Sequence, residues 1–323
     1  MREGMRIQGT KISDLKAGEI INGIYLLKSA ELKISSNKKP YLDIVLADST
    51  GSIQAKWWDA SETELGSLLP YKLYHINAKV DVWKETMQLT LIKVEIAGDE
   101  DQKLIGEFVP AAPVPPEEML QEIYSYAAKI KNSEIRSVVM MLLDEKEEKL
   151  MYYPAAKSLH HAMRSGLLYH IIRMLRLGEA ISGVYDGVNT DLLFAGIIIH
   201  DLAKIGELTS NELGMAEYSK EGQFLGHIIM GVEELDRAGR SVNASEEVML
   251  LLKHMVVSHH YETEYGSPKK PLFLEAELLH HIDMIDARVY DYQNATRNLE
   301  AGQFSEPVWS LDRRSVYKVG LAD

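Results

Sequence analysis

The chain has 323 residues, 46% of them apolar, a formal net charge of −13 and no cysteine. That length predicts two domains, and the lack of cysteine excludes disulfides, thiolate zinc sites and cysteine nucleophiles, so any metal must be held by His, Asp or Glu. The acid excess argues against a polyanionic partner only until it is divided: residues 1–98 hold 13 basic and 12 acidic residues, and the remainder holds 22 basic and 36 acidic, a net of −14.

Residues 11–97 alternate as strands do, in Tyr41–Leu46, Ser52–Trp57 and His75–Val82. Turn signals separate these runs at Ser36-Asn37, Asp48–Gly51 and Lys84–Thr86. About five short strands in such a length predict a small closed β-barrel over 1–98. Alternation puts Ile53, Ala55 and Trp57 on the inner face, and Gln54, Lys56 and Trp58 on the outer one. Tyr41 falls opposite Leu42, Ile44 and Leu46, and Trp83 opposite Val80 and Val82.

Residues 99–116 read as a linker, with four of the ten prolines inside 110–116. Pro115-Pro116 followed by Glu117-Glu118 is a helix start. From 117 to 303 the period is helical, as in Ile135, Val138, Val139, Leu142 and Leu143. Further helices are predicted near 165–180, 190–204, 226–238, 246–258 and 275–298, with no strand pattern of comparable strength. The fold class expected is therefore a β-barrel followed by an all-α domain. The last segment, 304–323, is too apolar for a free terminus and must pack on the helical domain or on a neighbouring subunit. No apolar run approaches the ~18 residues of a membrane span, and the first ten residues have no signal-peptide character, so the expected location is cytoplasmic.

Ten of the eleven histidines, His160 to His281, lie in this helical part. Imidazole is the commonest metal ligand, and helices of a bundle can converge on one point. His200-Asp201 ends the apolar run Leu192–Ile199. A buried His-Asp pair is costly unless a charge sits beside it, and a cation meets that need. A lone buried histidine is more often a hydrogen-bonded core residue. The combination with His170 upstream, His259-His260 downstream and Asp283 beyond favours ligation. Lys204, one turn after His200, could face the same site.

At these residues the chain resembles the HD phosphohydrolase superfamily: a His, a His-Asp pair and a distant Asp on separate helices. Over a wider range it resembles the YhaM-type 3′→5′ exoribonucleases. The segments are HHAMRSGLLYH (160–170), IIHDLAKIGEL (198–208), EGQFLGHIIMGVEEL (221–235), SHHYETEYGSPKKP (258–271) and EAELLHHIDMIDA (275–287), with KPYLDIVLADSTGSIQAKWWD (39–59) in the style of that family's OB-fold. Two departures stand out: Arg164-Ser165-Gly166 replaces paired glycines, and Tyr261 replaces a glycine after His-His.

The resemblance implies an OB-fold in front of an HD domain. It implies His170, His200, Asp201 and Asp283 as the basic metal set, with His227, His259 and His260 for a second ion and Asp201 bridging. Asp286, His161 and His254 would stand behind the ligands. The ion would be divalent, manganese first, with cobalt, iron, magnesium or zinc as alternatives, and one or two per chain. Lys204 would hold a phosphate oxygen and join Asp201 in catalysis. The substrate implied is single-stranded RNA, with single-stranded DNA open, cut to nucleoside 5′-monophosphates. On the barrel, Trp58 beside Lys56, with Tyr41 and Trp83, would stack bases; the plainer reading is that these rings cover barrel ends or a subunit contact. The competing functions are an HD hydrolase of small nucleotides and a non-catalytic single-strand-binding protein. If the tail packs on a neighbouring subunit the protein is a homo-oligomer, which would suit a processing enzyme because joined barrels could confine one strand near each metal site.

Overall fold

The computed structural model describes residues 9–35, 37–58, 62–83, 86–157 and 161–321. His160, Ser36 and the Lys84-Glu85 turn therefore lie outside the described residues. The chain divides into two compact units, 1–111 and 112–323.

The alternating N-terminal residues close into a barrel of five strands: β1 (Ile20–Ile34), β2 (Pro40–Asp48), β3 (Gly51–Trp58), β4 (Lys72–Trp83) and β5 (Thr86–Ile96). Their order around the barrel is β1-β2-β3-β5-β4, with β3 and β5 parallel and the other pairs antiparallel. A short helix, α1 (Glu62–Ser67), links β3 to β4. This is the Greek-key barrel of the OB-fold. The long β1 pairs with β4 in its first half and β2 in its second, and an irregularity between Leu27 and Ser29 provides the bend. Leu42, Ile44, Leu46, Ala55, Tyr74, Ile76, Ala78, Val80 and Leu89 fill the interior.

The unit extends past the expected barrel boundary. Residues 99–111 read as linker, yet α2 (Asp99–Gln102) folds against the barrel end. The Gln102 amide accepts from Leu73 N–H at 3.0 Å and donates to the Leu73 and Ala97 carbonyls at 2.8 and 3.2 Å. One side chain thus satisfies three backbone groups, which outweighs the polar character of the segment.

The second unit is helical: α3 (Pro116–Lys129), α4 (Ser133–Leu150), α5 (Gly166–Val184), α6 (Thr190–Ile199), α7 (Lys204–Glu207), α8 (Lys220–Val242), α9 (Glu246–Ser258) and α10 (Leu274–Thr296). Asn132 and Asn189 cap α4 and α6 through their side-chain oxygens. Leu192–Ile199 is buried on every side, so α6 is the central helix. The single helix expected over 190–204 is broken: α6 stops at Ile199, and a turn through His200–Ala203 leads into α7. A small hairpin of β6 (Leu208–Ser210) and β7 (Ala216–Tyr218) also interrupts the helices, since three-residue strands carry no readable period. Among the described residues no helix is long and apolar enough to cross a membrane.

The tail folds back on itself through bridges Phe304–Tyr317 and Val308–Arg314. Leu311 and Val316 are buried, and Arg288 of α10 donates to the Ser310 carbonyl at 3.1 Å. Phe304, Trp309 and Tyr317 remain exposed.

Candidate metal centre and barrel face

Local features aim each ligand of the helical unit inward. At the start of α5, Ser165 takes a left-handed conformation (φ 61°), and a Cβ on Gly166 would lie 2.0 Å from the His161 carbonyl oxygen. That close approach sets the helix that carries His170. The turn after α6 presents His200 and Asp201. Helix α8 is interrupted at Gly226 (φ 71°), a conformation that favours glycine, and His227 follows at once. His259 and His260 come at the end of α9, and Asp283 and Asp286 lie one turn apart on α10.

These side chains meet around Asp201. Its Oδ2 lies 3.3 Å from His200 Nε2 and 3.8 Å from His170 Nε2, and His170 Nε2 lies 3.2 Å from Asp283 Oδ1. Its Oδ1 faces the other way, 3.5 Å from His227 Nε2 and 3.8 Å from His259 Nε2. His260 joins this second set, whose donor atoms all lie within 4.8 Å of one another. One carboxylate therefore stands between two groups of imidazoles.

Every one of these imidazoles is tied by Nδ1. His170 donates to Asp286 (2.8 Å), His200 to the Ile197 carbonyl (2.9 Å) and His227 to Glu207 (3.1 Å). His259 donates to the Val256 carbonyl and His260 to that of Tyr265, both at 2.7 Å. His170 Nε2 is engaged by Asp283 at 3.2 Å, and the other four Nε2 atoms are left to present a lone pair to the centre, the tautomer a metal ligand needs. His200 Nε2, His227 Nε2, His259 Nε2 and Asp201 Oδ1 are buried without a hydrogen-bond partner. Buried polar atoms are rarely left so, and these four, three on one side of Asp201 and one on the other, fit bound cations.

The electrostatics point the same way. Burial opposes ionising Asp201, but Lys204, at 2.7 Å, and the surrounding histidines hold its carboxyl well below the usual range. Burial likewise opposes charge on Lys204, and Asp201 outweighs it and raises the amine. Asp283 and Asp286 are also held low, against burial, chiefly by their histidine partners. Burial pushes His259 well down and His260 down. His170 is the exception: burial disfavours its charge, but Asp283 and Asp286 raise it to about 10. Among the described residues, the four carboxylates Asp201, Asp283, Asp286 and Glu207 are set against the cations Lys204 and Arg173 and a protonated His170. Such an excess of buried negative charge calls for a cation.

Asp286 stands behind the ligands. Its Oδ2 accepts from both His170 and His161 (2.7 Å), and its Oδ1 accepts from Arg173 at 2.6 Å. His254 is not brought to the centre. It precedes His259 by five residues, about 140° around the helix, and its Nε2 accepts the Leu272 N–H at 3.0 Å. His280 donates to the His259 carbonyl, and His281 lies outside against Glu277. Glu207 and Arg173 went unnoticed in the sequence. Their only signal is position, three residues after Lys204 and His170 respectively.

On the barrel, Tyr41 and Trp58 are cross-strand partners on β2 and β3, with ring centroids 4.9 Å apart. Lys56 Nζ lies 5.1 and 5.7 Å from the two ring centres. Trp58 is 42% exposed, whereas Trp57 is half-buried against the barrel core. Trp83, 61% exposed, ends β4 where the β4–β5 connection begins, and Val82 beside it is exposed as well because the strand has run past the core.

Helices that converge five histidines and two aspartates on one centre define an HD-domain metal protein, and the HD domain family matches residues 167–288. The chain is 37% identical over 303 residues to the 3′-5′ exoribonuclease YhaM of Geobacillus sp. (strain WCH70), covering 94% of this chain and 93% of that one. The YhaM exoribonuclease of Bacillus subtilis (strain 168) matches at the same identity, over 94% and 96%. The chain belongs to the YhaM family of 3′-5′ exoribonucleases. Among solved structures, the second OB-fold domain of replication protein A from Methanococcus maripaludis matches 28% of this chain and 95% of its own, at 16% identity and a TM-score of 0.23.

Proposed function

We propose that this chain is a metal-dependent 3′→5′ exoribonuclease that hydrolyses single-stranded RNA to nucleoside 5′-monophosphates, with the barrel holding the strand. The observation that carries this reading is the placement of Asp201 between two sets of imidazole Nε2 atoms. His170, His200, Asp283 and Asp201 Oδ2 would hold one divalent ion, and His227, His259, His260 and Asp201 Oδ1 a second. Ions held there supply a water of lowered pKa and offset charge that develops on the phosphate. Lys204, a buried cation, would stabilise non-bridging phosphate oxygens. Asp286 and Glu207 hold two of the imidazoles in the ligating tautomer. Manganese is the proposed ion, since a donor set of imidazole and carboxylate without thiolate suits borderline and hard cations.

Trp58, Tyr41 and Lys56 lie on the strand 2–3 face that OB-folds use for oligonucleotides, and Trp83 borders the β4–β5 loop. Stacking on such rings tolerates any base and both sugars, so single-stranded DNA is a proposed further ligand. The exposed Phe304, Trp309 and Tyr317 support self-association through the tail.

The test is release of monophosphates from 5′-labelled RNA by the full chain with Mn²⁺, Co²⁺, Fe²⁺, Mg²⁺ or Zn²⁺, and with chelator. Stepwise shortening from the 3′ end with metal and none with chelator is the expected result. No hydrolysis with any ion refutes the reading. Light scattering on the full chain and on one ending at Gln303 tests self-association; a monomer in both cases rejects it.

A further inference from the structure

Tyr261 follows His259 and His260 directly and has a left-handed backbone (φ 66°). An aromatic residue pays strain there that glycine does not. Its ring is not idle. Lys270 Nζ sits 4.5 Å from the ring centre, and the His280 imidazole lies 4.9 Å away. His280 in turn donates to the His259 carbonyl. The same loop wraps His260, through Ser267 Oγ on its amide (3.0 Å) and the Tyr265 carbonyl on its Nδ1. The ammonium of Lys270 is therefore seated on the residue adjoining the proposed second metal set.

Lys269 and Lys270 are exposed, and neither forms an ion pair with a described residue. Lys129, Lys146, Lys157, Lys204 and Lys253 of the same unit each pair with a carboxylate, while Lys131, Lys149 and Lys220, like Lys269 and Lys270, pair with none among the described residues; of these five, Lys270 is the one held over an aromatic ring. The chain after residue 98 carries a net −14, so a polyanion approaching its metal centre needs cations at the rim. A lysine left without a carboxylate partner, and held over an aromatic ring instead, keeps its charge available.

We propose that Lys270 binds a backbone phosphate of the RNA strand beside the metal centre, and that Tyr261 is its positioning residue. This rests on the exoribonuclease reading for the identity of the ligand. It also explains why a strained aromatic occupies a position suited to glycine.

The test measures binding of a fluorescent oligoribonucleotide to the full chain in chelator, where no turnover occurs, across a range of salt. Lys270→Gln should weaken binding about fivefold at low salt and make the log–log salt slope shallower by about 0.7, the value for one contact to a single strand. Lys270→Arg should restore the slope, since it keeps the charge. Tyr261→Gly should lose the same slope while its melting temperature stays level or rises, because glycine adopts this φ freely; a purely structural tyrosine would lower it. A wild-type slope in Lys270→Gln or in Tyr261→Gly overturns the proposal. Failure of the wild-type chain to shorten RNA with any metal would refute the nuclease reading instead, and the slopes would still decide the role of Lys270.

Discussion

The barrel face and the metal centre both gather side chains that could meet RNA, but they do so under opposite constraints. On the barrel, Tyr41, Lys56 and Trp58 touch one another and face water, so the partners of each ring are few and replaceable. In the helical unit, Asp201, His170, His200 and His259 are almost wholly buried, and each imidazole is tied through its second nitrogen. A buried set of this kind depends on every member, because removing one leaves others desolvated and unpaired. Single substitutions should therefore act sharply on the centre and gradually on the face.

The largest effect is expected from Asp201→Asn. The amide keeps the shape but loses the charge that both imidazole sets face. RNA hydrolysis should fall by ~10²–10³-fold, the scale seen when a key electrostatic group is removed, with oligoribonucleotide affinity within about twofold of wild type. Retention of a tenth of wild-type turnover would remove Asp201 from the centre of the account.

Asp286→Asn comes next. It weakens the acceptor that orients His170 without touching the ligand atoms, so metal affinity should drop ~10–100-fold, as for other groups behind metal-bound histidines. Competition with a fluorescent chelator measures it; an unchanged affinity would reduce Asp286 to a packing role.

The pH dependence of binding sharpens the same contrast. His170 is raised to about 10 in the metal-free protein, so at neutral pH it carries a proton that an incoming cation must displace. Metal affinity should then rise with pH between 6 and 9. Calorimetry in two buffers of different ionisation enthalpy should register proton release on binding. A pH-independent affinity with no proton release would contradict the assigned ligand.

The smallest effects belong to the barrel. Trp58→Ala should weaken single-strand binding by ~1–3 kcal/mol, the range for one stacked base, with little change in melting temperature. Trp57→Ala should instead lower stability by ~2 kcal/mol, less than a fully buried aromatic because Trp57 is only half-buried. Equal binding losses in both would mean that the strand face, and not one ring, carries the contact.

The same contrast explains what the sequence could and could not disclose. Strand alternation over 41–46 and 52–57 separates inner from outer residues directly, because a side chain's face depends only on parity. His170, His200-Asp201 and Asp283 stand out because ten of the eleven histidines crowd into the helical part and these four residues match the family pattern of a His, a His-Asp pair and a distant Asp. Glu207 and Arg173 did not stand out, since their roles depend on which ring nitrogen lies within ~3 Å of which oxygen. The break after Ile199 was hidden by Leu202, Ala203 and Ile205, which prolong the apolar pattern. Gln102 was lost in a polar stretch that reads as linker. Ser165 and Tyr261 stand at the two departures from the family pattern, and both adopt the left-handed backbone that glycine would take there. The sequence marked those places without disclosing what compensates for them.

The account turns on Asp201 joining two metal sets, and manganese titration of the metal-free chain followed by electron paramagnetic resonance tests that most directly. Two Mn²⁺ per chain are expected, with a spectrum broadened by exchange through a shared carboxylate, and Asp201→Asn should lose that coupling. A single Mn²⁺ with an isolated six-line spectrum, unaltered in Asp201→Asn, would contradict it.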